Sequence, residues 1–191
     1  MIFYFHGFNT GAAGTKAQQV DTYFHKKFSV FRYDQPYQPV KAIAFLREKV
    51  SSKVLDNPRP LLIGSSLGGF YALHLAQEFN AVVVLINPSI QPFVTLQQAV
   101  GNWTNYVTQE NYDWTREDCN SLSSLRVEPE DFSQPLLMLL DKEDEVLNYK
   151  EAIDAFGHKA EVRVFENGHH QFPHMVEALP MIDKFYKKHL N

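Results

Sequence analysis

Residues 61–69 read LLIGSSLGG. Three apolar residues run into Gly64, Ser65, Ser66, Leu67, Gly68 and Gly69, so a buried strand stops where small residues begin. Gly64-Ser65-Ser66-Leu67-Gly68 fits Gly-x-Ser-x-Gly, centred on Ser66. Leu67, Tyr71, Leu75 and Phe79 then fall at four-residue spacing, which marks one face of a helix. A serine between a buried strand and a helix has two readings. It is a helix N-cap in an ordinary turn, or it is a nucleophile on a sharp, strained corner whose neighbours must be small. On the second reading Gly64 and Gly68 supply the room, and the helix N-terminus offers a positive end to developing negative charge.

Working outward, apolar runs alternate with helical periods. The runs are Ile2–Phe5, Phe28–Tyr33, Leu61–Ile63, Ala81–Ile86, Leu136–Leu140 and Glu161–Phe165. Most are nearly continuous in Val, Ile, Leu and Phe, as strands buried on both faces are. Helical segments are expected over 15–27, 40–54, from the serines onward, 147–156 and 174–189. The alternation predicts an α/β protein with a mostly parallel sheet of about six strands flanked by helices. Residues 89–134 break the rhythm. They show no clear strand but carry Phe93, Trp103, Tyr106, Tyr112 and Trp114. A small helical cap, packed on the sheet or lying over a binding site, is expected there. No repeat or linker appears, so residues 1–191 read as one domain.

The composition excludes several classes. The chain has 191 residues, 45% hydrophobic and 21% charged, the balance of a soluble globular protein. Its formal net charge of −4 argues against nucleic acid as a partner. No run approaches the length of a membrane span, and the N-terminus reads as having no signal peptide. Cys119 is the only cysteine, which forms no internal disulfide and suits a cytoplasmic protein.

A serine hydroxyl attacks only if a base takes its proton. In a strand–elbow–helix architecture the order is Ser, acid, His, with the partners beyond strand ends. After Leu136–Leu140 comes DKEDEV, offering Asp141, Glu143, Asp144 and Glu145. After Glu161–Phe165 comes ENGHHQF, offering His169 and His170 behind Gly168. His170, two before Phe172 and beyond the tight turn, is favoured over His169. A zinc site using His169, His170 and His174 is disfavoured, because Pro173 interrupts the helical pair. An oxyanion needs two backbone donors. Leu67 N–H, just after the serine, is one. The loop HGFNTG after the first strand supplies the other, with Phe8 N–H first and Asn9 second.

Taken together, HGFN, GSSLGG, NPSIQPF, DEVLNY and NGHHQF resemble the α/β-hydrolase superfamily, and more closely the small bacterial YqiA-type esterases grouped with the YcfP-like proteins. The resemblance runs from Met1 to the last helix. It implies a compact esterase on acyl esters or thioesters, with Ser66 as nucleophile, Asp144 as acid and His170 as base, and no cofactor or metal. Where the resembled motif usually reads Gly-Gly-x-His-x-Phe, this chain has Asn167 for the first Gly and His169 before the expected histidine. Asp141, directly after the strand, is expected to stabilise the turn through backbone N–H groups. The expected activity is carboxylic ester hydrolysis on a small-molecule substrate. The alternatives are an acyl-CoA thioesterase with the same residues, and a catalytically silent binding or scaffold protein.

Overall fold

The computed structural model describes residues 1–54 and 59–190. Six strands form one sheet: β1 (Ile2–Phe5), β2 (Val30–Arg32), β3 (Leu61–Ser65), β4 (Val82–Ile86), β7 (Leu136–Asp141) and β8 (Ala160–Phe165). The order is β2-β1-β3-β4-β7-β8, and every pairing is parallel. The central strands β1, β3, β4 and β7 are buried at every residue, which is why they read as unbroken apolar runs. Edge strands β2 and β8 are partly exposed.

Side chains alternate across the sheet and feed two cores. Phe3, Phe5, Leu62, Val83, Leu85 and Met138 face α2 (Pro39–Ser51), α3 (Leu67–Ala76) and α6 (Tyr149–Phe156). Ile2, Tyr4, Ile63, Val84 and Leu139 face α1 (Thr15–Phe24) and α7 (Met175–Lys188). The period of two in each strand thus builds a three-layer sandwich. α3 is buried at every position except His74, so it is apolar all round rather than on one stripe.

Residues 89–134 hold short helices, including α4 (Pro92–Thr95) and α5 (Arg116–Ser121). They also hold an antiparallel hairpin, β5 (Gly101–Thr104) with β6 (Asn111–Trp114), where helices alone were expected. Each strand has four residues, and only Tyr112 and Trp114 are buried, too short an alternation to stand out. The hairpin is tied to the loop after β1. Phe8 meets Trp103 and Trp114 edge to face at centroid distances of 5.2 and 5.0 Å. Tyr112 donates to Asn9 Oδ1 at 3.1 Å, and Asn105 donates to the Thr10 carbonyl at 2.8 Å. These contacts set the cap beside the carboxyl ends of β1 and β3. There the chain steps from β1 to opposite sides of the sheet, the crevice where open α/β sheets take ligands.

Candidate active site

Ser66 sits between β3 and α3 at φ 53°, ψ −121°, a conformation that costs a non-glycine residue free energy. Packing forces it. A Cβ on Gly64 would run into the Gly68 backbone, and one on Gly68 would run into the Phe5 carbonyl. The corner is clamped by Ser66 N–H to the Ile86 carbonyl (3.1 Å) and by Ser89 N–H to the Ser66 carbonyl (3.2 Å). Ser65 is the last residue of β3 and is buried, whereas Ser66 faces open space.

Three sequence candidates converge. His170 Nε2 lies 3.2 Å from Ser66 Oγ. Its Nδ1 lies 2.9 and 3.1 Å from the two Asp144 oxygens. A carboxylate only accepts, so Nδ1 carries the hydrogen and Nε2 keeps a lone pair toward the serine. Asp144 Oδ1 also accepts from Val146 and Leu147 N–H, both at 2.8 Å. Burial raises the Asp144 carboxyl pKa, but the bonds from His170 and these N–H groups outweigh it and hold the group below the usual carboxylate range.

The loop carrying His170 is built around other residues. Asn167 stands at φ 61°, a left-handed position that Gly or Asn occupies at least cost, which explains Asn in the resembled motif's glycine place. Gly168 is required because a Cβ there would strike the Asp141 carboxylate. His169 is exposed and points its Nδ1 at Gln171 N–H, away from the serine.

Asp141 has a side-chain partner beyond its expected role in the turn. It is fully buried at the end of β7 and its main partner is His174 Nδ1 at 2.6 Å, with the His169 backbone N–H also acting on the carboxylate. Burial raises its pKa, opposed by His174, Asn87 and the His169 N–H. His174 stacks on Phe165 at 4.9 Å, so this second acid–histidine pair lies beneath the loop.

Residues whose supporting roles the sequence did not show complete the site. Asn87, at φ 40°, accepts from Asp141 N–H (2.8 Å) and donates to the carbonyls of His169 (3.2 Å) and His170 (3.4 Å). Glu145 accepts from His170 N–H at 2.9 Å, and Glu143 from Asn167 N–H at 2.8 Å. The Asn87-Pro88 dipeptide after a strand marks a turn, and Glu143 and Glu145, candidates for the acid beyond the strand end, instead hold the His170 loop by its backbone.

Phe8 and Leu67 flank Ser66, and among the described residues neither N–H has a hydrogen-bond partner. Gly7 lies against Ser66, its Cβ position 3.1 Å from Ser66 Cβ. His6 is buried with both ring nitrogens engaged, Nδ1 with the Gly7 carbonyl (2.9 Å) and Nε2 with Gln35 N–H (3.3 Å). Burial lowers its pKa, and it shapes the loop as a neutral imidazole. Among the described residues no group of three His, Cys, Asp or Glu side chains is placed to hold a metal, and no helix is long and apolar enough to cross a membrane.

Two cavities meet at Ser66. One, of about 550 Å³, is also lined by His170, Lys16, Thr10 and Tyr106. The other, of about 250 Å³, is lined mainly by apolar cap and loop residues.

The fold recurs among solved structures. Est1E from Butyrivibrio proteoclasticus aligns with a TM-score of 0.78 at 14% identity, over 98% of this chain and 87% of its own. A monoacylglycerol lipase from Paleococcus ferrophilus aligns at 0.75 and 14%, over 98% and 94%. The mouse α/β hydrolase domain-containing protein 10 aligns at 0.72 and 18%, over 98% and 89%. In sequence, a UPF0227 protein of Shewanella woodyi is 27% identical over 98% of this chain and 99% of its own, and one of Shewanella oneidensis is 24% identical over 97% and 98%. The profile of the uncharacterised protein family UPF0227 matches residues 1–187. The chain therefore belongs to the UPF0227 family and has the α/β-hydrolase fold.

Proposed function

We propose that the protein is a serine esterase that hydrolyses carboxylic esters through an acyl-enzyme. The observation that carries this is the unbroken hydrogen-bond chain from Ser66 Oγ through His170 to Asp144, with the serine on a strained corner. His170 Nε2 takes the Ser66 proton as Oγ attacks the ester carbonyl carbon. Asp144 orients the imidazole and stabilises its charged form. The Phe8 and Leu67 N–H groups receive the oxyanion. Collapse of the tetrahedral intermediate breaks the carbon–oxygen bond, and His170 returns the proton to the leaving alcohol. Water then attacks the acyl-enzyme with His170 as base, releasing the carboxylic acid and restoring Ser66. That the structural neighbours include an esterase domain from Rhodothermus marinus and a monoacylglycerol lipase supports this reading. No step calls for a metal or cofactor. The same groups would serve a thioester, whose leaving group is a thiol. The single cysteine suits a cytoplasmic setting.

A panel of acyl esters and acyl-CoAs, run on wild type and Ser66→Ala, tests it. Ester turnover that vanishes in the variant is expected. No turnover of any member by the folded wild type would leave the silent-scaffold alternative.

A further inference from the structure

Ser66 is shared by two cavities of different chemistry, and His170 decides which half of a substrate each one takes. The leaving oxygen must come within reach of His170 Nε2, because that nitrogen returns its proton. His170 and the following Gln171, Phe172 and Pro173 line the 550 Å³ cleft. No histidine lines the 250 Å³ pocket, whose walls include Leu96, Ala99, Trp103, Val146 and Leu147. Its few polar side chains include Ser89 and Thr95, whose hydroxyls lie 3.3 Å apart. The acyl chain therefore belongs in the apolar pocket under the hairpin, and the alcohol in the larger cleft.

The larger cleft has a charge preference. Among the described residues Lys16 is its only lysine or arginine, and no carboxylate lines it. The Lys16 ammonium makes one hydrogen bond, to the Gln171 carbonyl at 3.1 Å. Among the described residues no carboxylate is close enough to it for an ion pair. A partly buried ammonium with unused donors, facing a cavity, is disposed to take an anion. Burial pushes its pKa down to about 8, with the charges of Asp144 and Asp141 opposing.

Resting on the esterase reading above, we infer that the preferred substrates are esters of short or medium apolar acids whose leaving alcohol carries an anionic group, a carboxylate or phosphate, bound by Lys16. Both halves are tested by measuring kcat/KM for phenyl, 4-carboxyphenyl and 4-phosphonooxyphenyl butyrate, and for phenyl acetate and hexanoate. Wild type, Lys16→Gln, Lys16→Arg and Ala99→Leu are compared, each first shown to melt cooperatively and to label at Ser66 with a fluorophosphonate. In Lys16→Gln the ratio of anionic to neutral butyrate falls about tenfold, mainly through KM, since a hydrogen bond to a charged group is lost. Lys16→Arg retains most of the ratio. The two anionic esters tell carboxylate from phosphate. Ala99→Leu lowers hexanoate relative to acetate several-fold and leaves the anionic-to-neutral ratio alone. An anionic-to-neutral ratio that does not move in Lys16→Gln overturns the Lys16 assignment. A leaving-group effect of Ala99→Leu without an acyl-length effect reverses the two subsites and overturns the orientation. Absence of Ser66 labelling in wild type would instead defeat the esterase reading itself.

Discussion

Replacing Asp144 by Asn changes one atom and should nearly silence the site. In the wild type Oδ1 accepts from Val146 and Leu147 N–H at 2.8 Å, and Oδ2 accepts from His170 Nδ1 at 2.9 Å. An asparagine keeps its oxygen on the two backbone donors, because the flipped amide would set NH₂ against both of them. Its nitrogen then faces His170 Nδ1. Two donors cannot bond, so Nδ1 gives up its hydrogen and Nε2 carries it. Nε2, 3.2 Å from Ser66 Oγ, becomes a donor where the mechanism needs an acceptor. The charge that stabilises the imidazolium is lost as well. The combined loss is about a hundred-fold to ten-thousand-fold in kcat/KM, or about 3 to 5 kcal/mol of transition-state stabilisation. Initial rates on a chromogenic ester, with circular dichroism to show an intact fold, give the answer. A folded Asp144→Asn enzyme within tenfold of wild type would refute the reasoning. So would a larger loss from Asp141→Asn, which should cost less than about tenfold in rate and mainly lower the melting temperature.

Ser66→Ala should lower kcat by at least roughly a thousand-fold, with a melting temperature no lower than wild type, since corner strain is relieved; Ser65→Ala should stay active. Gly168→Ala drives a methyl group into the Asp141 carboxylate and should cost about 1–3 kcal/mol in urea unfolding, with activity falling as the His170 loop shifts. The Asp144 carboxyl releases its proton more readily folded than unfolded, so its contribution to stability is present above the unfolded value and fades as pH falls through the lower folded value. The stability gap between wild type and Asp144→Asn should therefore close below about pH 3.9. EDTA should leave ester turnover unchanged; a strong loss would call for a metal.

Central strands were plain in the sequence because Val82, Val83, Val84, Leu85 and Ile86 are buried on both faces and must all be apolar. Edge strand β2 is shorter than the run Phe28–Tyr33, since only Val30–Arg32 pair with Ile2–Tyr4 of β1. Ser66, Asp144 and His170 could be named because each follows a strand end. The hairpin Gly101–Thr104 with Asn111–Trp114 was hidden, since mostly exposed polar strands leave little apolar alternation. The pairing of Asp141 with His174 was hidden for a different reason. It joins residues 33 apart through a side-chain bond that no local periodicity encodes. The same holds for Asn87, Glu143 and Glu145, whose side chains bond distant backbone groups. Lys16 carried no sequence signal because only the folded α1 brings it to the cleft beside Ser66.

An activated serine at position 66 should react with a fluorophosphonate, and intact-mass analysis after such treatment reads that reaction. One equivalent should add to the wild type and map to Ser66, none should add to Ser66→Ala, and labelling of His170→Ala should be slower by orders of magnitude. A folded wild type that takes up no label, or that is labelled at another residue, would contradict it.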